Sequence, residues 1–273
     1  SKYLSDLFKS FSDEEIKFAI LEQLEFFQSP ATASLLNSYV SSKMQIQAKM
    51  DKTTLKAISL LKNNGSIASF NILFLADILD VWPDYKEELR ESYIQMANSC
   101  ENEILTIFAN VDAEKKLEIL NIVSKSKKIS KKICGEVAEN ALSESIYNKG
   151  ELKDSSQDQI KVQLLSLQIL SDVKWTRAAS LATSYFPLAK EEFENKLISS
   201  RQFAKVITNI ASVASADTCT VLTQYLDFLN SSMENNSEPV EAVVLSVIEA
   251  LGGLGDKAAF DYLLYVTYLD YPE

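Results

Sequence analysis

The chain of 273 residues has no histidine, and that absence removes the side chain that most often moves protons near neutral pH. It also leaves no imidazole to complete a zinc set with Cys100, Cys134 and Cys219, which stand 34 and 85 residues apart with no C-x-x-C pair. A histidine-based catalyst is therefore excluded, a structural zinc site is not expected, and no cofactor is implied. The cysteines read as small buried hydrophobes: Cys134 shares a helical face with Val137, Ala138 and Ala141, and Cys219 with Leu222, Tyr225 and Leu226. Arginine is scarce too. Arg90, Arg177 and Arg201 are the only guanidinium groups, which leaves little for bidentate phosphate recognition. With 27 basic against 38 acidic residues the net charge is −11, which opposes a polyphosphate backbone, so nucleic acid is not an expected partner. No apolar run approaches the roughly 18 residues that suggest a membrane span. Ser1-Lys2-Tyr3 does not open a signal peptide. The compartment stays open between the cytoplasm and export after removal of a signal upstream of residue 1.

What the chain does have is helical periodicity. Val240, Val243, Val244, Val247, Ile248 and Leu251 step by 3, 1, 3, 1 and 3, a single apolar stripe. Gly252-Gly253-Leu254-Gly255-Asp256 reads as the turn that ends this helix, with glycines supplying left-handed conformations and Asp256 capping the next one. There Ala259, Leu263 and Val266 share a face, and Tyr271-Pro272 closes the helix. The stripe recurs 37 residues earlier as Phe203, Val206, Ile207, Ile210, Ala211 and Ala214. Turn aspartates at 172, 217 and 256 are spaced by 45 and 39, close to the roughly 40–47 of two-helix repeats.

Upstream, Ser12-Asp-Glu-Glu15 has the form of a capping box for a helix reaching Gln28, and Ser29-Pro30 restarts the chain. Helices are expected over Asp51–Asn63 and Ser66–Val81, divided by Asn64-Gly65, and Trp82-Pro83-Asp84 breaks the second. These turns lie closer together than the later ones, so the amino-terminal repeats are expected to be shorter or degenerate. Asp112 starts a helix to Ser124, and another runs from Ser130 to Ser143. Helices resume at Gln157, and Phe186-Pro187 is expected to close that pair. Residues 146–156 read as a polar linker, a seam between blocks 1–145 and 157–273 of one array.

VVLSVIEALGGLGDKAAFDYLLYV resembles a HEAT repeat of the bacterial, phycobilin-lyase-like kind, through Ala250, Leu251, Gly252, Leu254, Gly255, Asp256 and Leu263. The likeness is clearest over residues 238–273. Glu241 stands where such repeats usually carry an arginine. The resemblance implies an all-α fold, a right-handed α-solenoid of about six or seven HEAT-like hairpins. It also implies a protein-binding scaffold more often than a catalyst.

Function is read on the same terms. Asp13-Glu14-Glu15, Glu87-Glu88 and Glu191-Glu192-Glu194 each fall at an expected helix start, where the macrodipole stabilises negative charge, so they argue against an active site. The leading expectation is a non-catalytic protein–protein interaction scaffold. The alternative is an enzyme with a carboxylate-lined groove, bilin-lyase-like or base-glycosylase-like. Two surfaces are candidates for binding. Asp261, Leu264, Tyr265 and Tyr268 lie away from the inner face of the last helix, and Leu264, Tyr265 and Tyr268, with Tyr262, suit a protein partner, a further repeat beyond Glu273 or self-association of two copies. Lys127, Lys128, Lys131 and Lys132, with Lys125, form the one basic cluster, either a site for an anionic partner or a solvated turn.

Overall fold

A computed structural model describes residues 2–27, 29–147, 157–269 and 271. Among the described residues the protein is all-α, with fifteen α-helices and no strand. The helices are α1 Lys2–Ser10, α2 Glu14–Leu24, α3 Pro30–Gln45, α4 Lys52–Asn64, α5 Ile67–Ile78, α6 Lys86–Tyr93, α7 Glu101–Ala109 and α8 Ala113–Lys125. They continue with α9 Lys131–Tyr147, α10 Gln157–Val173, α11 Ala179–Glu194, α12 Ser200–Val213, α13 Ala216–Glu234, α14 Glu241–Leu254 and α15 Phe260–Val266. Most of the expected linker, residues 148–156, lies outside the described residues, as does Pro272 of the expected closing turn. No described helix is long and apolar enough to cross a membrane.

The chain divides into two compact units, Ser1–Val111 with Lys125–Ile133, and Asp112–Ser124 with Cys134–Glu273. In the first, α2, α4 and α6 pack on one another in chain order, and so do α1, α3, α5 and α7. The second does the same with α10, α12 and α14, and with α11, α13 and α15. Each unit fills the space between its two rows with aromatic rings. Phe70, Phe74 and Tyr93 meet at centroid distances of 5.1 to 5.7 Å in the first. Phe186, Phe203 and Tyr225 meet at 5.2 to 5.9 Å in the second. Such contacts add to the burial of large apolar surface that holds the rows together.

Helix starts in the first unit are set by short polar side chains. Asp13 accepts from the amides of Glu15 and Ile16, so the cap lies one residue beyond the expected Ser12. Ser29, Asp51 and Ser66 cap α3, α4 and α5 by accepting from Thr32, Thr54 and Ser69 amides. Ser29 and Ser66 stand 37 residues apart, the interval of the later stripe, while α1, α2 and α4 to α7 are 8 to 13 residues long against 14 to 19 for α10 to α14.

Three turn readings are corrected. Gly252 and Gly253 are helical residues of α14, and only Gly255 adopts a left-handed conformation, with φ 66°. Asp172 lies inside α10 and Asp217 in the first turn of α13, whose cap is Ser215; of the three turn aspartates only Asp256 caps, accepting from the Ala258 amide at 2.9 Å. Pro187 does not end a helix: α11 continues through it to Glu194. Proline removes one backbone donor from the ladder, and here the buried side chains of Tyr185, Phe186, Leu188 and Ala189 hold the helix together on both sides of it.

Five other helices end on a left-handed residue that is not glycine. Gln47, Asp80, Lys174, Lys196 and Asn236 all have φ between 50° and 59°. In each case the next residue's amide reaches back to close the last turn, as with Ala48 to the Lys43 carbonyl and Leu197 to that of Glu192. Glycine is required instead at Gly135, where a Cβ would lie 2.4 Å from the Trp175 ring.

Candidate functional site

The last helix, α15, is anchored on its inner side and open on its outer one. Ala259 is fully buried and Leu263 and Val266 are half-buried. Asn230, buried in α13, donates to the Tyr262 carbonyl and accepts from the Tyr271 hydroxyl at 3.0 Å. The Tyr265 hydroxyl donates to Glu234, and that hydrogen bond raises the phenol pKa. Outside this anchor Tyr262, Leu264 and Tyr265 are 37 to 43% exposed, and Tyr268 is 74% exposed. Phe260, 62% exposed, belongs with them. Its spacing to Leu264 is one helical turn, a signal present in the sequence itself.

The lysine cluster lies on the turn between α8 and α9, with Lys125, Lys127, Lys128, Lys131 and Lys132 all exposed. That turn is pinned. Asn98 donates to the Lys128 carbonyl and accepts from the Ser130 amide, both at 2.8 Å, while Ile129 is buried beneath. Lys132 pairs with Glu101.

Two acidic groups sit where expected, Asp13-Glu14-Glu15 at the start of α2 and Glu87-Glu88 in the first turn of α6. Burial alone would raise the Glu14 pKa, but hydrogen bonds from Lys43 and Tyr39 hold it below the usual carboxylate value. Burial, helped by the hydrogen bond to Glu14 and opposed by those with Thr54 and Lys43, pushes Tyr39 up to about 12. The third group is placed differently from expectation. Glu191, Glu192 and Glu194 end α11 rather than starting a helix, and Glu192 is fully buried, accepting from the Tyr185 hydroxyl at 3.1 Å. Because Pro187 does not close the helix, these residues fall at its carboxyl end, where the macrodipole opposes them.

A second buried carboxylate, Asp77, was not singled out in the sequence. Arg90 grips it with Nε at 2.8 Å and Nη2 at 3.1 Å, and the Tyr93 hydroxyl donates at 2.7 Å. Burial and then the Asp77 charge push the Tyr93 phenol far above its ordinary range. Asp77 and Glu192 are both closed to solvent, each held by a phenol from its own or the following helix. Such an arrangement orders a core and presents no carboxylate to a dissolved substrate.

All three cysteines are buried and unbridged. Burial pushes Cys100 up to about 11 and also raises Cys134, whose thiol donates to the Val123 carbonyl at 3.1 Å. Neither is a ready thiolate at neutral pH. Among the described residues no group of three or more Cys, Asp or Glu is placed to hold a metal ion. No family model, curated protein or solved structure matches the chain.

Proposed function

We propose that the protein is a non-catalytic protein–protein interaction scaffold built as a right-handed α-solenoid of HEAT-like hairpins. The observation that carries the binding reading is the outer face of α15, where Phe260, Leu264, Tyr265 and Tyr268 are exposed together on an anchored helix. Aromatic side chains of this kind give large contact area with few rotors to freeze, which is why they dominate interface energetics. The solenoid reading is supported within each unit by alternate helices packing row upon row, and by the 37-residue recurrence in both. The HEAT likeness of residues 238–273 points the same way. A catalytic reading draws no support from the carboxylates, since the two most buried ones are closed to solvent.

The test is the double variant Phe260→Ser/Tyr268→Ser. Both side chains are mostly in solvent, so the melting temperature should hold within about 2 °C. Cross-linking in the native extract should lose the protein partner of the wild-type chain, and sedimentation would show whether that partner is a second copy. Retention of every cross-linked product by the variant would remove α15 from the binding surface. A wild-type chain that stays monomeric and cross-links to nothing would sink the scaffold reading.

A further inference from the structure

The second unit also carries a groove of about 380 Å³ lined by residues of α8, α10 and α12. Its floor is apolar: Leu117 from α8, Leu164 and Leu165 from α10, and Val206 from α12. Its polar wall is built from matched positions. On α10, Lys161 and Gln168 bracket the two leucines at i, i+3, i+4 and i+7, one stripe of a helix. On α12, Gln202, Lys205 and Asn209 complete the same pattern around Val206, and Asn209 meets Gln168 directly at 3.3 Å across a separation of 41 residues. We infer that this groove docks an extended peptide segment of a partner protein, one carrying an apolar side chain flanked by carboxylates. The inference deepens the scaffold reading and rests on it.

Charge selects the flanking groups. Among the described residues no carboxylate lines the groove, although acidic residues outnumber basic ones by 38 to 27 in the chain. Lys205 makes no ion pair among the described residues. Among the described residues Lys161 pairs only with Asp158, at 2.8 Å, and both side chains are about half exposed, a contact that contributes little and yields to a better partner. The carboxamides select the backbone. Gln202 Oε1 accepts from the Ser199 amide and hydroxyl, which turns the amide nitrogen of Gln202 toward other acceptors. A peptide carbonyl can use those donors while the flanking carboxylates meet the lysines, whereas an alkyl chain with a single carboxylate has only that one group to offer both. The volume sits at the low end of the roughly 300–1,000 Å³ of ligand pockets, which fits one or two apolar side chains and not a folded face.

The experiment is selection from a random peptide library on the intact chain, followed by fluorescence polarisation of the enriched peptides. Enriched sequences should place Asp or Glu beside Leu, Ile or Phe. Their affinity should fall at least about tenfold in Lys161→Glu/Lys205→Glu, and should weaken as NaCl rises from about 50 to about 500 mM. Both lysines are exposed, so the double variant should melt as the wild type does. Leu165→Ser provides a second route, costing affinity without changing the net charge. Enrichment of peptides that bind the double variant within about twofold would overturn the groove but leave the scaffold reading intact. Lysine-dependent binding of decanoate with no peptide enriched would overturn the peptide class in favour of a free apolar carboxylate. No enrichment at all overturns the inference. Only when the cross-linking of the wild-type chain also fails does the scaffold reading fall with it.

Discussion

The pair α3 and α5 and the pair α12 and α14 recur on the same 37-residue interval, yet they mark it by different means. In α3 and α5 the matched residues are polar caps, Ser29 with Ser66 and Thr32 with Ser69, and both members of the second pair are fully buried. In α12 and α14 they are apolar: Val206 with Val243, Ile207 with Val244, Ile210 with Val247. Neither pair uses both signals fully, since Val240 starts α14 without a side-chain cap, and the position in α5 that matches buried Val40 holds Asp77. A helical row can therefore be kept in register by its starts or by its stripe. Substitutions that exchange the two devices test the equivalence.

The largest effect should come from the charged core position. Arg90→Met leaves Asp77 buried without its guanidinium, and loss of one partner of a buried pair costs about 3–5 kcal/mol. The Arg90 side chain is 36% exposed, so solvent already screens part of the interaction and a value near 3 kcal/mol is expected. The triple variant Asp77→Val/Arg90→Met/Tyr93→Phe, which restores the apolar residue of the matching position, should recover most of that loss. Urea unfolding measures both. If the triple variant is as unstable as the single one, α3 and α5 do not share a core register.

Next come the caps. Ser66→Ala should cost about 1 kcal/mol, and Val240→Asp should gain up to about the same amount, because Val240 has the extended backbone of a cap and is 45% exposed. Thermal unfolding of each against wild type decides the point. A destabilised Val240→Asp would mean that Val240 holds α14 by packing rather than standing in for a missing cap.

The same contrast explains what was legible beforehand. The helical class and most element positions followed from apolar periodicity, and Ser29-Pro30, Asp51 and Asp112 were recognisable starts. Endings were harder, because the usual signal is glycine and five left-handed positions carry Gln, Asp, Lys or Asn instead. Pro187 misled for the converse reason: buried neighbours carry α11 past it. The exposure of α15 could be read from its spacing, and Phe260 could have been added on the same rule. The groove on α10 and α12 could not, since Leu164, Leu165 and Val206 look like any core stripe until the packing shows one side left open.

A smaller effect is expected at the two glycines inside α14. Nothing lies within 4 Å of a Cβ at Gly252 or Gly253, and neither has a positive φ. Each change to alanine removes unfolded-state freedom at no steric cost and should stabilise by about 0.5–1 kcal/mol, while Gly255→Ala, at φ 66°, should destabilise. Chemical denaturation of the three single variants separates the signs. Loss of stability at Gly252 or Gly253 would restore them to the turn.

The smallest change should come from the lysine turn. Lys127 and Lys128 are exposed and form no ion pair among the described residues, while the turn itself is held by Asn98 through the Lys128 carbonyl and the Ser130 amide and by buried Ile129. The backbone and the isoleucine thus define the loop, and the ammonium groups are free to be exchanged. Lys127→Glu/Lys128→Glu should change stability by no more than about 0.5 kcal/mol, with a sign set by weak long-range charge that salt suppresses. Asn98→Ala is the control, since it leaves two backbone groups without their partner and touches no charge. If the charge reversal costs as much as the Asn98 variant in thermal unfolding, the lysines hold the turn in place; if it costs almost nothing, they are available to an anionic partner.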